Sequence, residues 1–167
     1  MDIGLLVLRL AVGLTMAAHG GQKLFGWFGG YGIAGTGGFL ESLGFRPGKV
    51  HAGLAGTAEF LGGLLIALGL LTPVGAALVI AVMVVAIGSV HLPKGFFVSD
   101  GGFEYNLMIV ASSAALAFAG PGAYSLDGVE GLNLGGWVAG VVTVIAGLVL
   151  GGGALAARRP APVARQS

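Results

Sequence analysis

The stretch Val7–Gly26, VLRLAVGLTMAAHGGQKLFG, is apolar enough to cross a bilayer as a helix, yet it carries Arg9 near one end and His19, Gln22 and Lys23 near the other. A charge held in hydrocarbon costs about 2.5–3.5 kcal/mol on insertion scales, so such a residue snorkels, faces a wet cavity or finds a partner. The reading of this one segment decides between a plain anchor and a helical bundle with a polar interior.

The rest of the chain favours the bundle. Of its 167 residues 56% are hydrophobic and 9% charged, whereas a soluble domain is about one-quarter charged. About 20 mainly apolar residues span a bilayer, and five segments qualify or nearly do, at about 3–23, 51–71, 74–92, 105–119 and 134–156. The expected fold is therefore an all-α integral membrane bundle in one domain, residues 1–156, followed by a basic, disordered cytoplasmic tail, 157–167. The fourth span is the weakest, since 15 residues make only about 22 Å of helix. Thr72-Pro73 sets a tight hairpin between the second and third spans, because proline opens a helix and pushes the preceding residue out of one. MDIG offers no basic region and Arg9 interrupts the apolar run, so the first helix is expected to be retained rather than cleaved.

Charge placement sets a topology. With five spans, Lys23, Arg46, Lys49, Lys94, Arg158, Arg159 and Arg165 share one side, while the other carries Asp2, Asp127 and Glu130 and no Lys or Arg. Positive loops stay cytoplasmic, which puts the N-terminus outside and the C-terminus inside, in a plasma membrane crossed several times. Trp27, Phe28 and Tyr31 suit an interfacial belt, and GFLESLGF (38–45) suits a short helix that either lies on the surface or re-enters the membrane.

Two groups of polar residues are candidates for function. Glu59 is the one acid well inside a span, flanked by Ala52, Ala55, Gly56, Gly62 and Gly63, and is the expected partner of Arg9 in a buried ion pair. Helix rise puts an axial gap of about 9 Å between them when Lys23 and His51 are taken as level. The second group is a cytoplasm-facing pocket: His19, His51 and His91 fall at span ends on that side, with Gln22, Lys23, Lys94, Glu104, Tyr105 and Asn106 at the same level. Convergent polar groups at the end of an apolar bundle are the form of a small-molecule site. Their spacing matches no metal-ligand motif. In the fifth span Gly136, Gly140, Gly147 and Gly151 form a small-residue stripe, suited to packing within the chain or to a homo-oligomer seam.

Several function classes are set aside. The net charge of +1 gives no electrostatic footprint for nucleic acid, and the absence of cysteine excludes disulfide, thiolate and iron–sulfur chemistry by this chain alone. No Walker loop, nucleophile elbow or HExxH is present, and the glycines of FGWFGGYGIAGTGG (25–38) lack the strand that a dinucleotide fingerprint requires.

The ordered set LRLAVGLTMAAHGGQKLFG (8–26), GGFLESLGF (37–45), AEFLGGLLIALGLLTPVGA (58–76), GFFVSDGGFEYNLMI (95–109) and GPGAYSLD (120–127) resembles the DoxX family of small bacterial membrane proteins. The resemblance covers about residues 5–127, implies a four-helix core to which the fifth span is an addition, and carries over Arg9, His19, Gly20, Lys23, Glu59 and Gly63. It also implies a redox setting, since one branch resembles a quinone-reducing thiosulfate oxidoreductase subunit and others associate with superoxide-detoxifying and thiol-handling partners. The leading expectation is thus a membrane subunit or scaffold of a redox or oxidative-stress assembly, holding a quinone or lipid-like molecule and not an enzyme by itself. The alternative is a small-solute or proton-coupled transporter.

Overall fold

The computed structural model describes residues 1–132 and 134–159. Most of the expected tail, Arg165 included, lies outside the described residues. The elements are α1 (Asp2–Phe25), α2 (Gly32–Ser42), α3 (Gly48–Leu68), α4 (Thr72–Ala86), α5 (Glu104–Ala119), α6 (Leu126–Val129) and α7 (Trp137–Ala156). The described residues contain no strand.

Helices α1, α3 and α7 are long and apolar enough to cross a membrane, as is α4 taken with its continuation to Lys94, whereas α5 is shorter at 16 residues. The chain is a helical membrane bundle, with α1, α3, α4 and α5 as its core and α7 packed outside α4 and α5. Alternating direction along the five long helices gives the molecule a basic end, with Lys23, Arg46, Lys49, Lys94, Arg158 and Arg159, and an acidic end, with Asp2, Asp127 and Glu130. Met16, Ile66, Val79, Ile80 and Leu116 are fully buried between the helices.

Glycine brings α1 and α3 into backbone contact. A Cβ on Gly13 would stand 2.5 Å from the Gly63 carbonyl, and one on Gly20 would stand 2.6 Å from the Gly56 carbonyl, closer than side chains tolerate. Gly13 and Gly20 on one helix, Gly56 and Gly63 on the other, repeat at two turns and fix the register. Helix pairs in lipid gain their stability from this kind of close packing, because the solvent there is as apolar as the helices.

The stripe on α7 serves the same purpose within the chain. Gly140 lies against the Phe118 ring of α5, and Gly147 and Gly151 lie against Ile80 and the Ala81 carbonyl of α4, all three buried. The stripe is therefore covered within the chain at these three positions. Gly136 stands apart from it, as the residue before α7, with φ 103° and open space around its Cα.

The short helix expected at 38–45 before the second span lies earlier, at Gly32–Ser42. It packs along α3 at the basic end, preceded by the exposed Trp27, Phe28 and Tyr31. Helix α4 ends differently from expectation: it widens into one π-helical turn, Ile87–His91, then tightens into a 3₁₀ turn, Leu92–Lys94. Widened turns of this kind re-aim side chains and recur at functional sites.

Candidate functional site

The register of α1 on α3 separates the two charges expected to pair. Because Gly20 meets Gly56 and Gly13 meets Gly63, Arg9 is carried to the level of Gly69, at the far end of α3. Glu59 is ten residues from Gly69, about 15 Å along the helix. The Arg9–Glu59 pair is thus corrected: the partner of Glu59 is Lys23. Lys23 Nζ donates to both carboxylate oxygens, at 2.6 Å to Oε1. The expected depth alignment took Lys23 as level with His51, whereas the glycine contacts slide α1 along α3 and bring Lys23 beside Glu59 instead.

This pair lies on the wall of a cavity of about 270 Å³ near the basic end. Glu59 is 2% exposed while Lys23 keeps 29% of its side chain accessible, so the carboxylate is held in the bundle and the ammonium sits on its open side. Around them stand His19 from α1, His91 from the π turn, and Tyr105 and Asn106 from the start of α5. Met16, Met83 and Ile109 supply an apolar floor, and Asn106 Nδ2 donates to Met83 Sδ at 3.4 Å. His91 Nδ1 lies 2.7 Å from the Gly101 carbonyl. A carbonyl oxygen only accepts, so Nδ1 carries the proton and, in the neutral ring, Nε2 is left as an acceptor.

Five of the nine residues expected in one pocket therefore meet there. The other four do not. His51 lines a different, apolar groove and packs on the Phe45 ring, 5.5 Å between centroids. Gln22 donates to the Phe28 carbonyl at 3.5 Å. Glu104 accepts from Val98 N–H at 3.0 Å and braces the loop before α5, and the Lys94 side chain packs beside Gly101 on that same loop. Equal depth put all nine together in the sequence; the direction of each side chain around its helix divides them.

Arg9 has its own surroundings at the acidic end. It is 1% exposed and one guanidinium nitrogen donates to the Tyr124 carbonyl, while Nε and Nη1 have no partner among the described residues. Asp127 stands at the same end, its N–H donating to the Gly69 carbonyl at 2.9 Å. Its carboxylate is fully buried and accepts from Leu71 N–H at 2.9 Å, Thr72 N–H at 3.2 Å and Thr72 Oγ1–H at 3.3 Å. Asp127 therefore caps the N-terminus of α4 from another part of the chain, where orphan N–H groups favour an anion. Gly69 fits beneath Arg9 because it lacks a Cβ and because its φ of 64° suits glycine. Ser125 accepts from Gly128 N–H to start α6 and its neighbours bring Asp127 into place. In the sequence Asp127 stands out only as a loop charge; its position ending the GPGAYSLD stretch is the signal of its role.

Fold and site together define a multi-pass membrane protein: a glycine-packed helical bundle with a polar, ion-paired cavity at one end and a buried cap at the other. The sequence matches the DoxX family over residues 4–92, and the chain belongs to that family. It is 32% identical over 126 residues to a protein of Escherichia coli (strain K12), "Inner membrane protein YqjF", with 75% of this chain and 91% of that protein covered. No solved structure matches.

Proposed function

We propose that this protein is an inner-membrane subunit or scaffold of a redox or oxidative-stress assembly, oriented with its basic end in the cytoplasm, and that its polar cavity holds the ring of a quinone. The observation that carries the reading is the set of groups on the cavity wall. A quinone ring needs apolar faces and hydrogen-bond partners at two opposed oxygens. Met16, Met83 and Ile109 offer the first, the Lys23 ammonium and the Tyr105 hydroxyl are donors for the second, and the His91 ring, with Nε2 as acceptor, suits the hydroxyl of the reduced form. At about 270 Å³ the cavity has room for one ring, below the 300–1,000 Å³ usual for drug-sized ligands, so an isoprenoid tail would lie outside it. When bound, such a ring would supply the two-electron chemistry; the residues of this chain bind it, keep its head at a fixed depth and hold a carboxylate beside it. The basic end fits the cytoplasmic side because basic loops are retained there. The inner-membrane setting follows that of the E. coli relative.

The test is binding of a soluble short-chain quinone to the purified full-length chain in detergent, followed by quenching of intrinsic fluorescence. Saturable binding that weakens about tenfold or more in Lys23→Met, with that variant still folded, is the expected result. No saturable binding by the intact protein overturns the quinone reading, and solute uptake into proteoliposomes that requires Glu59 would put the transporter in its place.

A further inference from the structure

The larger cavity of the molecule plays no part in this reading. It is an open groove of about 460 Å³ beside the bundle, floored by α4 and walled by α3 on one side and α7 on the other. Small side chains hollow it out: Ala55 and Ala58 on α3, Ala81 on α4, Gly151 and Ala154 on α7. Leu54, Leu61 and Leu150 stand at its edges and are 63%, 49% and 56% exposed, so the groove opens toward the surface that faces lipid. Its polar contributions are few, chiefly His51 and Thr57. Leu40 and Phe45, at the end of α2 and just beyond it, close the groove at the basic end.

The charge sits where the groove is closed. Arg46 directly follows Phe45, and Lys49 lies two residues before His51. Arg159 N–H donates to the Gly44 carbonyl at 2.8 Å, which brings Arg158 and Arg159, just after α7, to the same corner. Arg46, Lys49 and Arg159 are exposed. Glu41 is the neighbouring acid, and among the described residues it forms no ion pair with any of the four cations. One end of the groove therefore presents a surplus of positive charge, and the remainder is apolar, lined from Leu54 to Leu61 along α3.

We propose that this groove is a binding site for an anionic phospholipid, with one acyl chain lying between α3 and α7 over the small residues of α4 and the phosphate held by Arg46, Lys49, Arg158 and Arg159. A zwitterionic lipid could fill the same channel but would meet the cations with no net charge of its own. Basic residues beside a membrane each attract anionic headgroups independently of sequence; here the groove adds a fixed seat for the chain, and α2 sets the depth at which the headgroup stops.

The experiment uses the full-length protein purified in non-ionic detergent, with thermal unfolding and native mass spectrometry read in parallel. Phosphatidylglycerol is compared with phosphatidylcholine of the same chains, with dihexanoyl phosphatidylglycerol, and with inorganic phosphate. One long-chain phosphatidylglycerol per protein, held at least tenfold more tightly than phosphatidylcholine, is the expected result. Arg46→Gln/Arg158→Gln/Arg159→Gln should remove that preference while leaving phosphatidylcholine binding unchanged, and Ala154→Phe should weaken both lipids by filling the groove. Should Ala154→Phe fail to fold, the dihexanoyl lipid makes the same distinction on the unaltered protein, since it carries the headgroup without the chain. Equal binding of the two long-chain lipids, equal binding of the short and long chains, or full protection by phosphate alone would each overturn the proposal.

Discussion

The two ends of the bundle bury charge in opposite ways. At the acidic end Asp127 has its oxygens taken by backbone and hydroxyl donors of the α4 N-terminus, and Arg9 is closed over by Gly69 and Tyr124. At the basic end Glu59 is equally buried, but its partner is a partly accessible lysine and both stand on the wall of a cavity. A carboxylate satisfied by fixed backbone donors contributes to stability and has nothing left to offer a ligand. One satisfied by a mobile ammonium beside open space can exchange its partner. The first arrangement is a fastening and the second is a site.

The largest effect expected from breaking this contrast is at the fastening. Asp127→Ala removes the acceptor of Leu71 and Thr72 and takes away the negative charge near a buried guanidinium. Loss of one member of a buried charged network costs about 3–5 kcal/mol. Leu71 raises the stakes, because it is held at φ 45°, a conformation that a branched side chain adopts only when its surroundings enforce it. The thermal midpoint of the purified variant in detergent should fall well below that of the parent, and a change within error would mean that the α3–α4 turn holds without its cap.

A middle-sized effect is expected at the site. Glu59→Gln keeps the shape and one acceptor oxygen but loses the charge. Lys23 can then turn its ammonium to the open side, so the loss is that of one charge-assisted hydrogen bond, about 1–3 kcal/mol. The same thermal measurement should rank it below Asp127→Ala. If Glu59→Gln proves the more damaging of the two, the pair is the fastening and the roles of the two ends are exchanged.

The fold was legible in the sequence for a physical reason: a helix in lipid must satisfy its own backbone, so length and apolarity alone give the spans. The hairpin at Thr72-Pro73, four long apolar helices and a shorter fifth one followed from that. The pairing of charges was not legible from depth, because depth depends on how far one helix slides along another. That slide is set by Gly13 and Gly20 against Gly56 and Gly63, residues with no chemistry of their own. Anchoring the two helices on their glycines, rather than on the ends of their apolar runs, widens the axial gap between Arg9 and Glu59 and narrows the one between Lys23 and Glu59, which a lysine side chain then spans. The division of the expected pocket has a similar cause: His51 and His19 are both near the basic end, yet a helix turns 100° per residue and they face different cavities. No periodicity foretold the π turn that delivers His91 to the cavity.

The smallest effect on stability should come from His91→Ala, and it sharpens the contrast most. The ring leaves behind only the Gly101 carbonyl, which belongs to a partly accessible turn and can be met by water. Its loss should therefore cost less than about 1 kcal/mol, and the thermal midpoint should stay close to that of the parent. Binding of the reduced, hydroxyl-bearing form of the ring at the cavity should nevertheless suffer, because Nε2 is the acceptor that the Nδ1–Gly101 contact leaves free for a ligand hydroxyl. His51→Ala is the matched control: a histidine at the same end of the bundle, lining the apolar groove instead, whose removal should leave ligand binding at the cavity untouched. A stability loss in His91→Ala approaching that of Asp127→Ala would make the basic end a second fastening, and the cavity a by-product of packing rather than its purpose.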